Sequence, residues 1–144
     1  LILYLDASAI VKRYIHEPGS DTVVQWIENA DLVGTSLISR AEGSAAFAKA
    51  ARMNVLTRSE AESCLYQFRT DWSTYIRIQI NEQTTTRADE FAWMLGLRGY
   101  DAMHLAAATA WQSALNTAVV MVTFDAALAK ASLASGLQIL PAKT

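Results

Sequence analysis

Short apolar runs, each leading into a helical stretch, constrain this chain more than any other feature. Leu1 to Leu5 ("LILYL") and Ala118 to Thr123 ("AVVMVT") are apolar throughout and only a few residues long. Runs of that length and texture suit strands buried on both faces, as in a parallel sheet. "DLVGTS" (31–36) and "LQIL" (137–140) read as two more short strands. "YIRIQI" (Tyr75 to Ile80) alternates apolar and polar residues, as an edge strand with one wet face does. Helical segments stand between them. Strand–helix alternation implies parallel crossovers, hence a three-layer α/β/α sandwich on a central parallel sheet of about five strands with about seven helices.

The helix boundaries follow from local chemistry. The first helix spans about Ser8 to Tyr14, and "HEPG" (16–19) breaks it, because the residue before Pro18 is steered out of the helical region. Ser20 or Asp21 caps a second helix reaching about Asn29. Ser36 or Ser39 starts an alanine-rich third that Asn54 ends. "TRSE" (57–60) is a capping box opening a helix to about Trp72. Helix resumes over about Thr84 to Leu97, breaks at "RGY" (98–100), and runs again from Asp101 to about Leu115. The last helix reaches Ser135, and Gly136 terminates it. With 144 residues and neither linker nor repeat, the chain reads as one domain, 1–144.

Composition narrows the function classes. The net charge of −2 gives no global attraction for nucleic acid, so any such substrate needs local basic residues or a bound cation. The lone Cys64 excludes an internal disulfide and reads as a small buried residue on one helix face with Ala61, Leu65 and Phe68. It fits a reducing compartment, and a cytoplasmic location is expected. No apolar run approaches the ~20 residues of a membrane helix. "LILYL" lacks the length and basic leader of a signal peptide. An apolar content of 52% leaves surface for a partner as well as a core.

Four acids stand in apolar settings: Asp6 in "YLDASAIVKRY", Glu42 in "SRAEGSAAFAK", Asp101 in "LRGYDAMHLAAA" and Asp125 in "VTFDAALAKAS". Each alone has a structural reading. Asp125 and Asp101 suit helix caps or first turns, and Glu42 suits a solvated helical position. Asp6, at the end of a buried strand, is the hardest to explain that way. Sites in open parallel sheets form beyond the C-terminal strand ends. Carboxylates gathered there at low exposure repel one another unless a cation intervenes, and oxygen-only ligands suit Mg²⁺ or Mn²⁺. Such a cluster supports metal-assisted phosphodiester hydrolysis. Ser8 and Thr123 lie two residues from Asp6 and Asp125, where a hydroxyl either orients a carboxylate or caps the next helix. Lys12, Arg13, Arg40 and Arg98 are candidate phosphate-binding residues. His104 reads as packed in the core, as do Trp72, Tyr75 and Trp93. A phospho-acceptor regulatory domain also places acids at strand ends, but it wants a lysine after a late strand where this chain has Asp125.

In order and separation, these four motifs resemble those of the PIN domain, and the chain's length and form are most similar to VapC-type toxins of toxin–antitoxin pairs. The resemblance spans Leu1 to Leu140. It implies strand order 3-2-1-4-5, RNA cleavage with Mg²⁺ or Mn²⁺, and Asp6, Glu42, Asp101 and Asp125 as metal-binding acids, with Ser8 and Thr123 as near neighbours. It further implies a homodimer and a cognate antitoxin that covers the acidic site. The alternative is a catalytically silent binding module of the same fold, acting through a partner protein.

Overall fold

The computed structural model of the chain describes residues 1–142. Its strands are β1 (Ile2–Leu5), β2 (Leu32–Ser36), β3 (Ile76–Ile78), β4 (Val120–Val122) and β5 (Gln138–Leu140). They form one parallel sheet in the order β3-β2-β1-β4-β5, with the short β3 at an edge. The helices are α1 (Ala7–Tyr14), α2 (Ser20–Asn29), α3 (Ser39–Arg52), α4 (Arg58–Asp71), α5 (Glu82–Leu95), α6 (Gly99–Leu115) and α7 (Ala126–Ala134). A single 3₁₀ turn, Trp72–Thr74, follows α4.

The sheet divides the core in two because side chains alternate along each strand. Leu3, Leu5, Val120 and Val122 pack with Ile10, Phe47 and Phe68 against α1, α3 and α4. Tyr4 and Met121 point the other way, to Leu105, Trp111 and Leu128 on α6 and α7. Two glycines set how closely the helices approach. A Cβ on Gly34 of β2 would stand 2.7 Å from the Trp111 ring, and one on Gly43 of α3 would stand 2.6 Å from Phe68.

Several expected boundaries shift. The Thr57–Glu60 capping box forms. Gly96, at φ 66°, ends α5 at Leu95, two residues before the expected Leu97, and Asn81 rather than a residue nearer Thr84 caps its start. The break at "RGY" is shorter than expected: α6 begins at Gly99, with Arg98 extended at its N-cap. Cys64 is half-buried rather than enclosed, and its thiol donates to the Tyr14 carbonyl oxygen at 3.1 Å. Trp72 and Tyr75 are buried, but Trp93 is 88% exposed, which overturns its core placement. The residues α5 buries are Thr84, Ala88 and Phe91, a spacing of four and three. Trp93 lies two residues past Phe91, about 200° around the helix.

Candidate active site

β1 and β4 are central neighbours, paired Leu3–Val120 to Leu5–Val122, so their C-terminal ends meet at one sheet edge. The chain leaves β1 toward one helical layer through α1 and leaves β4 toward the other through α7. That divergence opens a crevice at the switch point. A pocket of about 310 Å³ lies there, lined by Asp6, Ser8, Glu42, Arg98, Tyr100, Asp101, His104 and Asp125. Four carboxylates from four separate stretches of sequence thus share one cavity.

Asp6 is the floor of the pocket and is 3% exposed. It is also the N-cap of α1, so the residue hardest to read as structural has a structural task as well. Its Oδ1 accepts the Ala9 N–H at 3.0 Å and the Ser8 hydroxyl at 2.7 Å, and its Oδ2 accepts the Thr123 hydroxyl at 2.5 Å. The two hydroxyls also tie the loops together. Ser8 Oγ accepts the Phe124 N–H across the crevice at 2.9 Å, and Thr123 Oγ1 accepts the Asp125 N–H at 3.1 Å. Burial pushes the Asp6 carboxyl above its ordinary pKa. The charge at His104 and the hydrogen bonds from Thr123, Ser8 and Ala9 oppose this without cancelling it.

Glu42 sits in the first turn of α3, whose start is fixed from below. The buried Thr35 hydroxyl donates to the Leu5 carbonyl oxygen at 2.6 Å, which leaves its oxygen to accept the Ser39 hydroxyl at 2.6 Å. Glu42 Oε1 meets His104 Nε2 at 2.7 Å, and His104 Nδ1 meets the Tyr4 hydroxyl at 2.8 Å. His104 is 1% exposed, so the expectation of a packed histidine holds for its burial and misses its partners. Asp101 and His104 stand three apart on one face of α6; that spacing was the available signal. Burial, with the charges of Asp6 and Glu42 adding to it, pushes the Tyr4 phenol well above its ordinary pKa.

The rim is built differently. Asp125 caps α7, its Oδ1 accepting the Leu128 N–H at 2.9 Å. Its Oδ2 is paired to Arg98 at 2.9 Å, and the same guanidinium donates from Nε to Asp101 Oδ2 at 3.0 Å. These two carboxylates hold the Arg98 guanidinium above its ordinary pKa, Asp101 most strongly. Of the four candidate phosphate-binding residues only Arg98 lines the pocket. Lys12 is engaged by Glu17 at 3.0 Å and the Pro18 carbonyl oxygen at 2.9 Å. Arg13 donates to the Tyr75 hydroxyl at 2.6 Å and lies 3.5 Å from Asp71, while Arg40 lies over the Trp72 ring.

The donor set fits a hard divalent cation in type, since every acid offers oxygen. Among the described residues, however, no three of the Asp, Glu, His or Cys side chains converge tightly enough to hold an ion as they stand. The reason is visible in the partners. Glu42 is turned to His104, Asp6 is engaged by two hydroxyls and an amide, and between Asp101 and Asp125 the Arg98 guanidinium occupies the place of a metal cation. Also among the described residues, no helix is long and apolar enough to cross a membrane.

Comparison with known proteins agrees with the architecture. A family profile described as PIN domain matches residues 3–133. Ribonuclease VapC45 of Mycobacterium tuberculosis is 30% identical over 142 residues, which cover 99% of this chain and 96% of that protein. PAE2754 from Pyrobaculum aerophilum superposes with a TM-score of 0.66 at 19% identity, over 96% of this chain and 83% of that one. VapBC2 from Rickettsia felis, solved bound to a DNA fragment from its promoter, gives 0.63 at 17% identity, over 96% and 97%. At those identities the two structures speak to the fold.

Proposed function

From a chain that belongs to the PIN-domain family, we propose a metal-dependent endoribonuclease that acts as the toxin of a toxin–antitoxin pair in the cytoplasm. One observation carries this reading: Asp6, Glu42, Asp101 and Asp125 line a single pocket at the C-terminal edge of the sheet. Its naming as a ribonuclease follows the VapC relative, and an antitoxin partner follows the VapBC2 neighbour. The exposed Trp93, Met94 and Tyr100 supply apolar surface of the kind that a partner or second copy covers.

Asp6, Glu42, Asp101 and Asp125 would hold Mg²⁺ or Mn²⁺. Such an ion supplies polarisation of the phosphoryl oxygens and a lower pKa for the attacking water. A floor carboxyl whose burial opposes its own charge supports this, since a neighbouring cation would favour its ionised form. The protein's own residues do the rest. Thr123 and Ser8 fix the orientation of Asp6, and Asp6 and Asp125 hold the two loops that flank the scissile phosphate. Arg98, 77% exposed at the rim, turns from its acids to a phosphate oxygen when substrate arrives. The exposed Tyr100 beside it offers a face for an unpaired base.

Purified protein given Mn²⁺ and a single-stranded RNA is expected to cut it, to stop in EDTA, and to lose the activity in Asp6→Asn. Growth arrest on expression is expected for the wild type only. Cutting that persists in EDTA would overturn the metal requirement. Wild type and Asp6→Asn being equally harmless and equally inactive would leave the silent binding module instead.

A further inference from the structure

Three of the four pocket acids are held by helix caps or by Arg98. Glu42 is held by a buried side chain. Its Oε1 faces Nε2 of His104 at 2.7 Å, and its other oxygen accepts no hydrogen bond among the described residues. Behind the imidazole, Nδ1 is 2.8 Å from the Tyr4 hydroxyl, and the two rings stand edge to face with centroids 5.7 Å apart. Tyr4 is 0% and His104 1% exposed, so water does not compete for the contact between them, while the His104–Glu42 contact is part-buried. The chain Tyr4–His104–Glu42 joins β1, α6 and α3.

The proton count along this chain has one solution at the carboxylate. An ionised Glu42 offers only acceptors, so against the carboxylate Nε2 must carry a hydrogen. A neutral ring then leaves Nδ1 bare to accept the Tyr4 O–H; a doubly protonated ring donates from Nδ1 to the phenol oxygen. Both arrangements aim an N–H at Oε1. The excluded form is the neutral ring protonated at Nδ1, which would set a lone pair against a carboxylate at 2.7 Å. A buried, doubly anchored ring holds Glu42 at the pocket lining, with Oε1 spoken for and Oε2 left without a hydrogen bond among the described residues.

We infer that His104, locked by Tyr4, is a positioning residue that fixes the Glu42 carboxylate for a divalent cation. The consequence for the cation rests on the nuclease reading above; the orientation of Glu42 does not. Losing a group that orients a metal-binding carboxylate typically weakens metal binding by about 10–100-fold. The amide nitrogen of glutamine sits close to where Nε2 does, so His104→Gln keeps the donor that His104→Leu removes.

Two measurements test this. In the metal-free protein, long-range ¹H–¹⁵N spectra resolve the chain's two histidines, His16 and His104. His104 is expected to be protonated at Nε2, and to stay so in Tyr4→Phe, because Glu42 alone dictates the hydrogen on that nitrogen. A bare Nε2 in the wild type would overturn the inference. Calorimetric Mn²⁺ titrations are expected to show His104→Leu weakened by about 10-fold or more, His104→Gln within a few-fold of wild type, and kcat lowered in His104→Leu with KM for RNA unchanged. A purely structural role would lower the melting temperature of both variants and leave Mn²⁺ affinity alone; that pattern also overturns it. If the wild type neither binds Mn²⁺ nor cuts RNA, the nuclease reading falls, and the spectra still decide whether His104 orients Glu42.

Discussion

The floor and the rim of the acidic pocket are built on opposite principles. Asp6, Ser8, Thr123, Tyr4, His104 and Glu42 form a floor whose contacts cross between strands and loops and are buried or part-buried, apart from the exposed bond between Ser8 and Phe124. At the rim, Asp101 and Asp125 share one guanidinium that is 77% exposed. Buried hydrogen bonds are costly to leave unmade, so the floor is set before any ligand arrives. Exposed ion pairs are worth little, so the rim can exchange Arg98 for a cation or a phosphate at small cost. A site that must be accurate at one atom and adjustable at another places the first inside and the second at the surface.

The largest test of that contrast compares acids across it. Asp6→Asn is expected to lower kcat by about 10³-fold and Asp125→Asn by about 10²-fold or less, the span typical of losing one preorganised electrostatic group. Single-turnover RNA cleavage in Mn²⁺ measures both. Equal losses would mean that rim and floor are equally fixed, and the distinction would fail.

Packing sharpens it next. Gly43 follows Glu42, and a Cβ there would lie 2.6 and 2.9 Å from the Phe68 ring. Phe68 is fully buried and cannot give way cheaply, so Gly43→Ala is expected to cost about 1–3 kcal/mol. At the rim, a Cβ on Gly99 meets nothing within 4 Å. Gly99→Ala is expected to leave the melting temperature unchanged or slightly raised, since alanine loses less backbone entropy in a helix. Thermal melts of the pair decide; a destabilised Gly99→Ala would show hidden packing at the rim.

The same contrast explains what the sequence made legible. The parallel sheet followed from runs such as "AVVMVT", because burial on both faces leaves an unmistakable texture. Which acids share a pocket followed from their places at strand ends and helix starts. The bonds that hold them did not follow. Tyr4 and His104 are 100 residues apart, and Thr123 and Asp6 are 117 apart, so no local pattern pairs them. Arg98 was legible only as a nearby charge, since its bridge depends on α6 starting at Gly99 rather than at Asp101. Trp93 departs from the core expected of an aromatic residue because the four-and-three spacing of Thr84, Ala88 and Phe91 sets the buried face of α5, and Trp93 lies off it.

A smaller effect is expected when the rim loses its guanidinium. Arg98→Ala frees Asp101 and Asp125, so Mn²⁺ is expected to bind more tightly, by no more than about fivefold for so exposed a pair. RNA binding should weaken, and the slope of log K against log salt should fall by about 0.7, the loss of one phosphate contact on a single strand. Calorimetry and a salt series measure these. Weaker Mn²⁺ binding in Arg98→Ala would show that the bridge preorganises the rim instead of closing it.

The smallest effect concerns the floor without metal. Burial raises the Asp6 pKa above its usual 3.8, so between that value and its folded value the native state binds more protons than the unfolded chain. Stability therefore falls as pH rises through this window and levels off above it. Urea unfolding in EDTA across the acidic range should show that slope for the wild type and lack it for Asp6→Asn. Mn²⁺ favours the ionised carboxylate, so its stabilisation should be full at neutral pH and fade as pH falls through the same window. A slope that survives in Asp6→Asn would place the titrating group outside the floor. The buried carboxyl would then carry its charge without a cation's help, and the reason for reading the floor as preset and the rim as adjustable would be gone.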